Sequence, residues 1–334
     1  MIAKKTPMYF RMTLFFRRVP IICLLLIVGT CIFPFSANAF DVLIGTGERG
    51  TFSHFTGRVL CRVINSHTSD INCQTVPTPD DVYNLTNLRG GSLDIGLVDS
   101  HMLYDAVNKA GNFKYLDISY GNLRSLMPLY DVPVTLVVRK DAKITALTEL
   151  KDKRINVGSP GSSQSLAFGN ILKAKSWSKK DFRLVQELPA SLSQDTMAFC
   201  HGTIQAMVHI GVHPNPELQQ LFKLCEADMV AMDDKDIKKM ITGHSALSSM
   251  NIAAGTYPAH PGSVTTFGTR MMLVSSTDLD EETVYKIIDA LNGGRKYLKS
   301  AHPALGTLTV SLSEKPDAGV KLHPGAIKYF TEQE

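Results

Sequence analysis

The sequence predicts an α/β fold of two lobes, each a mostly parallel sheet flanked by helices, with a ligand cleft between the lobes. Strand-like and helix-like stretches alternate along the chain, which is typical of parallel sheets. Two glycine-rich turns, at 45–50 and 158–164, each follow a strand-like run and lead into a helical pattern. The roughly 295 residues that follow a predicted leader are typical of two domains.

The leader at residues 1–39 has the features of a cleavable export signal. Its basic residues precede an apolar run at 21–33 that is short for a membrane span. Ala37-Asn38-Ala39 is a small-x-small cleavage site, so we predict cleavage after Ala39 and a location in the periplasm. An uncleaved N-terminal anchor is the alternative.

The charge balance changes once the leader is set aside. It carries five of the 35 basic residues and none of the 31 acidic ones, which leaves 30 basic against 31 acidic residues. The net charge of the mature chain is therefore −1, and nothing in it favours binding to nucleic acid or to an anionic membrane surface.

Four cysteines remain after the leader: Cys61, Cys73, Cys200 and Cys225. An even number in an oxidising compartment predicts disulfides, and three pairings are possible. Proximity in sequence favours Cys61–Cys73 and Cys200–Cys225, while four buried free thiols are the alternative.

The hydrophobic pattern places the elements in order along the chain. The predicted strands, from the sequence alone, are 42–44, 71–76, 93–98, 123–130, 133–139, 155–157, 182–188, 204–210, 252–257 and 265–275. The predicted helices are 52–63, 80–89, 100–107, 141–151, 163–172, 190–200, 217–225, 233–242 and 281–291.

The first turn, Gly45-Thr46-Gly47-Glu48-Arg49-Gly50, matches G-x-G-x-x-G between a strand and a helix. A dinucleotide site would need an acidic residue after the second strand, where the chain instead reads Val76-Pro77-Thr78. We therefore expect no cofactor. The remaining interpretations are a tight turn required only by backbone geometry and a ligand cradle of backbone N–H groups with the Thr46 and Thr51 hydroxyls.

The second turn, 158–164, is small, polar and kinked by glycine and proline. Ser162 or Ser163 is a natural N-cap, so an ordinary helix start is one interpretation. Its pairing with the first turn favours a second ligand cradle. Asp99 is interpreted either as an N-cap or as a ligand contact, and Tyr130 either as a core or hinge aromatic or as a ligand contact.

Two further motifs suggest chemistry only weakly. His209-x3-His213 has the spacing of a metal pair on a helix, but it follows a strand-like run and ends at Pro214, so no metal is expected. Gly243-His244-Ser245 falls short of a G-x-S-x-G nucleophile motif. We therefore assign no catalytic residue.

Segments throughout the mature chain resemble the TAXI branch of TRAP-transporter substrate-binding proteins. These segments are IGTGERGTFSHFTG (44–57), LRGGSLDIGLVDS (88–100), LRSLMPLYDVPVTLVVRKDAKITALTELKDKRINVGSPGSS (123–163), AGTYP (254–258), TRMMLVSSTDLDEETVYKI (269–287) and LHPGAIKYF (322–330). The resemblance implies a two-lobed fold like that of periplasmic binding proteins, with lobe 1 at 40–132 and 253–334 and lobe 2 at 133–252.

The resemblance also implies a function: capture of a small organic anion, such as glutamate, 2-oxoglutarate or a C4-dicarboxylate, and its delivery by a monomer to a sodium-coupled membrane permease. The chain departs from the family pattern at 52–53, at 161–164 and at 209–214, where His209 adds a hydrogen-bond donor. The predicted ligand-binding residues are Thr46, Gly47, Gly50, Thr51, Phe52, Asp99, Ser100, Tyr130, Gly161, Ser162, Ser163, Gln164 and His209. The alternatives are a ligand sensor for a signalling partner and a periplasmic hydrolase.

Overall fold

The computed structural model describes residues 39–188, 197–307 and 317–333. The strands in these ranges are β1 (Phe40–Gly45), β2 (Ile71–Val76), β3 (Ile95–Asp99), β4 (Leu123–Arg139), β5 (Arg154–Asn156), β6 (Leu184–Gln186), β7 (Ala206–Ile210), β8 (Ala227–Val230), β9 (Ser248–Ile252) and β10 (Val264–Ser276). The helices are α1 (Phe52–His67), α2 (Asp81–Gly90), α3 (Ser100–Asn108), α4 (Ser163–Lys175), α5 (Pro216–Leu224), α6 (Lys235–Thr242), α7 (Glu281–Gly293), α8 (Arg295–Ala301) and α9 (Pro324–Gln333).

The strands form a mixed sheet in the order β2-β1-β3-β10-β4-β7-β5-β6. The outer strands of each half are parallel: β1 pairs with β2 and β3, and β5 pairs with β6 and β7. The two long strands between them, β4 and β10, are antiparallel to each other and to their neighbours. The sheet was expected to be mostly parallel and is mixed. The strands β4 and β10 cross between the lobes in opposite directions, so they cannot both be parallel to the outer strands.

The strand β4 belongs to both lobes. Its first part, up to Pro133, pairs with β10, and from Val134 onward it pairs with β7. From Leu136 it also pairs with β8. The three outer strands on the β3 side form lobe 1, and those on the β7 side form lobe 2.

Lobe 1 has a core on each face of its sheet. Val42 and Ile44 point into one core with α1, α7, α8 and α9, whereas Leu43 packs against the other, with α2 and α3. This alternation is the period of two that a strand imposes on its side chains. Both faces are therefore covered, as in most sheets with parallel strands.

Lobe 2 repeats this arrangement with fewer helices. Phe168 and Ile171 of α4 and Ile237 of α6 fill one core, while Leu218 and Leu221 of α5 belong to the other. Each lobe also carries one disulfide. Cys61 of α1 is bonded to Cys73 of β2, and Cys200 is bonded to Cys225 at the end of α5, which are the two pairings favoured from the sequence.

The helix predicted at 141–151 is wrong. The segment contains two 3-10 turns, Lys140–Ala142 and Leu147–Leu150. Lys143, between them, has a left-handed φ of 49°, which a continuous helix cannot contain. The Glu149 carboxylate accepts the Thr145 N–H at 2.6 Å, so a side chain takes a backbone donor at the start of the second turn.

The strand predicted at 252–257 is also displaced. It ends at Ile252 as β9, and Gly255 turns the chain with a φ of +75°. Residues 1–38 of the export signal predicted at 1–39 and most of the helix predicted at 190–200 lie outside the described residues. Within the described ranges, no helix combines the length and apolar character needed to cross a bilayer.

Candidate ligand-binding site

A cavity of about 290 Å³ lies between the two lobes. Both crossing strands line it: β4 contributes Val132 and Val134, and β10 contributes four residues around Gly268. Pockets for small molecules start at about 300 Å³. The cavity therefore has the size for a metabolite, and both lobes contribute to its walls.

Three helix starts supply most of the remaining lining. Lobe 1 contributes Asp81, the first residue of α2, and Asp99, the N-cap of α3. Lobe 2 contributes one side of α4, from Ser163 to Asn170. In each lobe these helices follow parallel strands, whose carboxyl ends meet at one edge of the sheet, so their N-termini converge there.

Asp81 and Asp99 form a hydrogen-bonded pair at the lobe 1 wall. The Asp99 backbone N–H donates to Asp81 Oδ2 at 2.9 Å. Asp99 Oδ1 accepts the His101 N–H at 2.8 Å, and Asp99 Oδ2 accepts the Thr269 hydroxyl. The strand β10 therefore fixes the orientation of Asp99, while Asp99 holds Asp81.

The pKa of each carboxyl in this pair is raised. Burial, with a smaller contribution from the Asp99 charge, raises the pKa of Asp81 to about 7. Burial also raises the pKa of Asp99, although the Thr269 hydroxyl acts in the opposite direction. The lobe 1 wall therefore changes its charge near neutral pH.

The remaining lining is mostly apolar. His101 is the one other ionisable side chain among the described lining residues, and neither lysine nor arginine occurs among them. The apolar and small lining residues are Met102, Val132, Val134, Leu166, Ala167, Ile210, Leu247, Phe267, Gly268 and Met271. A ligand here meets carboxyls on one side and an apolar surface around its body.

The second glycine-rich turn reaches the cavity. Ser162 is the N-cap of α4 and its hydroxyl accepts the Ser165 N–H at 3.2 Å, while Ser163 lines the cavity. Gly158 has a φ of +76°, and a Cβ there would lie 2.9 Å from Gln164 Cβ. Gly161 also has a positive φ, of +81°. Gly161, Ser162 and Gln164 thus shape the helix start that places Ser163 in the cavity.

The first glycine-rich turn lies elsewhere on the same edge. Thr46 is only 1% exposed, and its hydroxyl is 3.1 Å from the Val76 carbonyl oxygen and 3.0 Å from His54 Nδ1. A Cβ at Gly47 would lie 2.4 Å from Ser53 Oγ, so the turn leaves no room for a side chain there. The described lining of the cavity does not include Thr46, Gly47, Gly50, Thr51 or Phe52.

Thr51 and Gly50 form the start of α1. The Thr51 hydroxyl accepts the His54 N–H at 3.2 Å as the N-cap, and Gly50 has a φ of +93°. Phe52 follows and packs edge-on against Tyr130 at 4.9 Å and against His302 at 4.7 Å between ring centroids. The structure thus gives these residues a local structural role, and a ligand contact by them stays a prediction.

Tyr130 and Ser100 lie close to the cavity but are buried behind its lining. Tyr130 is 4% exposed, and burial with the nearby Asp81 carboxyl raises the pKa of its hydroxyl. The Ser100 hydroxyl donates to the Ala246 carbonyl at 2.8 Å and accepts the Arg270 N–H at 3.0 Å. Ser100 therefore joins α3 to β10 and to the segment that precedes β9.

His209 lies on β7 opposite Thr135 of β4. Burial lowers its pKa to about 4, and its Nε2 has no hydrogen-bond partner among the described residues. His213, four residues on, places its Nε2 2.9 Å from the Thr135 hydroxyl and its Nδ1 against the Tyr257 hydroxyl. Neither histidine is part of the described lining of the cavity.

Sequence analysis missed several lining residues, among them Asp81, His101, Asn170 and Thr269. The signal for Asp81 was present: it follows the N-cap Asp80 at the start of a helix after a parallel strand, as Ser100 follows Asp99. Thr269 carried no such signal. Its role depends on the pairing of β10 with β3, which places Met271 opposite Asp99.

Comparison with solved structures shows the fold. The chain is similar to a TctC solute binding protein from Polaromonas, with 15% identity, a TM-score of 0.55, and coverage of 78% of this chain and 84% of that one. It is also similar to the periplasmic aliphatic sulphonate binding protein SsuA from Escherichia coli, with 13% identity, a TM-score of 0.47, and coverage of 87% and 78%. The similarity to the TctC solute binding protein shows a shared α/β fold, a mixed sheet flanked by helices.

The family follows from a separate comparison. The family model described as the NMT1-like family matches residues 44–333, which include every strand from β2 onward and the whole cavity lining. This match extends over most of the chain. The protein belongs to the NMT1-like family.

Proposed function

We propose that this protein is an extracytoplasmic solute receptor that captures a small organic acid in the cavity between its lobes. The observation that carries the proposal is that both lobes and both crossing strands contribute walls to one metabolite-sized cavity. Such a site is complete only when the lobes are together. Binding therefore favours the closed arrangement by the difference in affinity between the closed and open states.

The lobe 2 wall offers the place for the acid group. The N-terminus of α4 lies there, with the Ser162 and Ser163 hydroxyls at its first turn. The first N–H groups of a helix have no carbonyl partner within it and carry the positive end of the helix dipole, which favours a carboxylate. Each charge-assisted hydrogen bond of this kind contributes about 1.5–3 kcal/mol.

The hinges follow from the two strands that cross between the lobes. We place lobe 1 at 40–132 and 253–334 and lobe 2 at 133–252, because β4 exchanges β10 for β7 as its partner at Pro133 and Val134. The hinge segments in this proposal are 133–139 and 252–272. The receptor has no catalytic role.

The resemblance to the TAXI branch extends the proposal to partners. The protein is exported to the periplasm, binds its ligand as a monomer without a cofactor, and hands it to a TRAP-type membrane permease. Glutamate, 2-oxoglutarate and C4-dicarboxylates are the ligand classes that the resemblance implies. A sensor for a signalling partner would use the same cavity, and a gene for a multi-helix permease next to this one would favour transport.

A thermal-shift screen of the mature chain, residues 40–334, tests the proposal. The screen includes monocarboxylates, dicarboxylates and amino acids, with neutral sugars as the control. A ligand at 100 times its Kd stabilises the folded chain by about 2.7 kcal/mol. Stabilisation by a carboxylate and not by sugars supports the proposal, and hydrolysis of an ester probe without any shift by an acid contradicts it.

A further inference from the structure

We infer that the captured solute carries a positively charged nitrogen, held by Asp81, and is therefore an amino acid with an apolar side chain rather than a dicarboxylate. The inference rests on the proposed function, which supplies the carboxylate pole. It adds the second pole and the chemistry of the apolar side chain beside the two poles.

The first step concerns the free acceptor at the lobe 1 wall. Both oxygens of Asp99 already accept hydrogen bonds from His101 and Thr269. The hydrogen bond that Asp81 accepts within the described residues is to Oδ2, from the Asp99 N–H. Asp81 Oδ1 therefore remains as an acceptor at the cavity, and an N–H or O–H donor of the ligand satisfies it.

The second step concerns charge. The described lining holds two carboxyls and no lysine or arginine. Above the raised pKa of Asp81, a dicarboxylate would place an anionic group beside an ionised carboxyl, with neither lysine nor arginine in the described lining to offset it, and like charges disfavour binding. An ammonium group is attracted instead, and it forms a charge-assisted hydrogen bond with Asp81.

The third step concerns the body of the ligand. Besides the two carboxyls and the α4 N-terminus, the lining includes Met102, Leu166, Phe267 and Met271. Burying an aliphatic or aromatic group against such a surface is favourable, at about 25 cal/mol per Å² of apolar area. The cavity therefore combines an ammonium site, a carboxylate site and an apolar surface, which are the three parts of an apolar amino acid.

The first experiment compares ligands that differ by one group. Leucine, valine, methionine and phenylalanine are each titrated against the mature chain, together with the matching 2-oxo acid and the matching amine without a carboxylate. We expect at least one amino acid to bind at least tenfold more tightly than its 2-oxo acid.

The outcomes separate the two proposals. Equal affinity for an amino acid and its 2-oxo acid overturns the inference and leaves the receptor for organic acids in place. If the amine binds as tightly as the amino acid, the site for the positively charged nitrogen is supported. The proposed carboxylate site at the α4 N-terminus is then contradicted. Failure of all four amino acids to bind overturns the inference.

The second experiment uses two aspartates that are adjacent in sequence. Asp81→Asn removes the cavity carboxyl, and we expect the preference for the amino acid over its 2-oxo acid to fall at least tenfold. Asp80→Asn is the control, because Asp80 is exposed, caps α2 through the Tyr83 N–H, and asparagine caps equally well. An unchanged preference in a folded Asp81→Asn variant overturns the inference, and circular dichroism of both variants establishes that they fold.

Discussion

The two walls of the cavity have the same architecture and opposite electrostatics. In lobe 1, α2 and α3 begin at the carboxyl ends of parallel strands. Their starts carry carboxyls: the N-caps Asp80 and Asp99, and Asp81 as the first residue of α2. In lobe 2, α4 begins with Ser162 and Ser163. The fold places a helix N-terminus in both walls, but in lobe 1 the chain supplies the negative charge itself.

This difference shows that a helix N-terminus at the right edge of a sheet does not define an anion site. The cap residue decides whether the helix N-terminus can bind an anion, since a carboxylate at the start of a helix already interacts with the free N–H groups and the dipole. A hydroxyl cap leaves the positive end without a charged partner. The ligand is therefore expected to have a different group at each wall.

The largest expected effect comes from closing the lobe 2 wall. Ser163→Leu adds an apolar side chain at the first residue of α4, which lines the cavity. Ser163 is exposed to solvent, so the larger side chain does not disturb a packed core. We expect the affinity for the ligand to fall at least 100-fold, because the new side chain occupies the carboxylate position. Isothermal titration of the variant checks the result.

The matched control is Ser163→Ala, which leaves the cavity open and removes only the hydroxyl. We expect it to weaken binding about tenfold or less, in line with the loss of one hydrogen bond. Unchanged affinity in the leucine variant would remove α4 from the site. Both variants should unfold at the same temperature as the wild type in the absence of ligand.

The next effect concerns the stability of the lobe 1 wall. The pKa of Asp81 is raised from 3.8 to about 7 in the folded chain, so the unfolded chain ionises first and the wild type loses stability between about pH 4 and pH 7. Asp81→Asn cannot ionise. We expect its free energy of unfolding, relative to the wild type, to rise by up to about 4 kcal/mol across this range, since one pKa unit corresponds to about 1.4 kcal/mol.

Urea unfolding at pH 4, 5.5, 7 and 8 measures this difference, with Asp80→Asn as the control. The control should follow the wild type much more closely than Asp81→Asn does, because the Asp80 charge is the smallest of the causes that raise the pKa of Asp81. A constant difference between Asp81→Asn and the wild type from pH 4 to pH 8 would mean that folding does not raise the pKa of Asp81. The expected gain identifies a residue that costs stability, as is common at binding sites.

Much of the fold was predictable because local patterns determine it. Alternating Val42, Leu43 and Ile44 and the apolar face of α1 were readable from single segments. The helix predicted at 141–151 was wrong because Lys143 adopts a left-handed conformation and Glu149 binds backbone donors, neither of which the apolar spacing reveals. The antiparallel crossing strands were missed because strand direction in a sheet depends on long-range pairing.

The site was less predictable, since it depends on which helix starts face one another. Ser163 and Asp99 were both proposed from the sequence and both line the cavity. Asp81 was omitted although its neighbour Asp80 marks the helix start, and Thr269 is distant in sequence from the Asp99 it binds. A glycine-rich motif drew attention to Thr46, whose buried hydroxyl lies against the Val76 carbonyl.

The smallest expected effect is the pH dependence of affinity, and its sign distinguishes the two walls. With a pKa of about 7, Asp81 loses most of its charge at pH 6, and a cationic nitrogen then binds with a penalty because Asp81 must first release its proton. We expect the affinity for an apolar amino acid to fall about tenfold from pH 8 to pH 6. The carboxylate at the α4 N-terminus contributes no such change, because a carboxylate with an ordinary pKa stays ionised throughout this range.

An organic acid without the nitrogen should show the reverse trend, since protonation of Asp81 removes a negative charge beside it and provides a donor. Titration calorimetry of the same side chain as amino acid and as 2-oxo acid at both pH values would therefore give opposite slopes. Two slopes of the same sign would show that both ligands meet the same wall, and the difference between the lobes would then have no part in recognition.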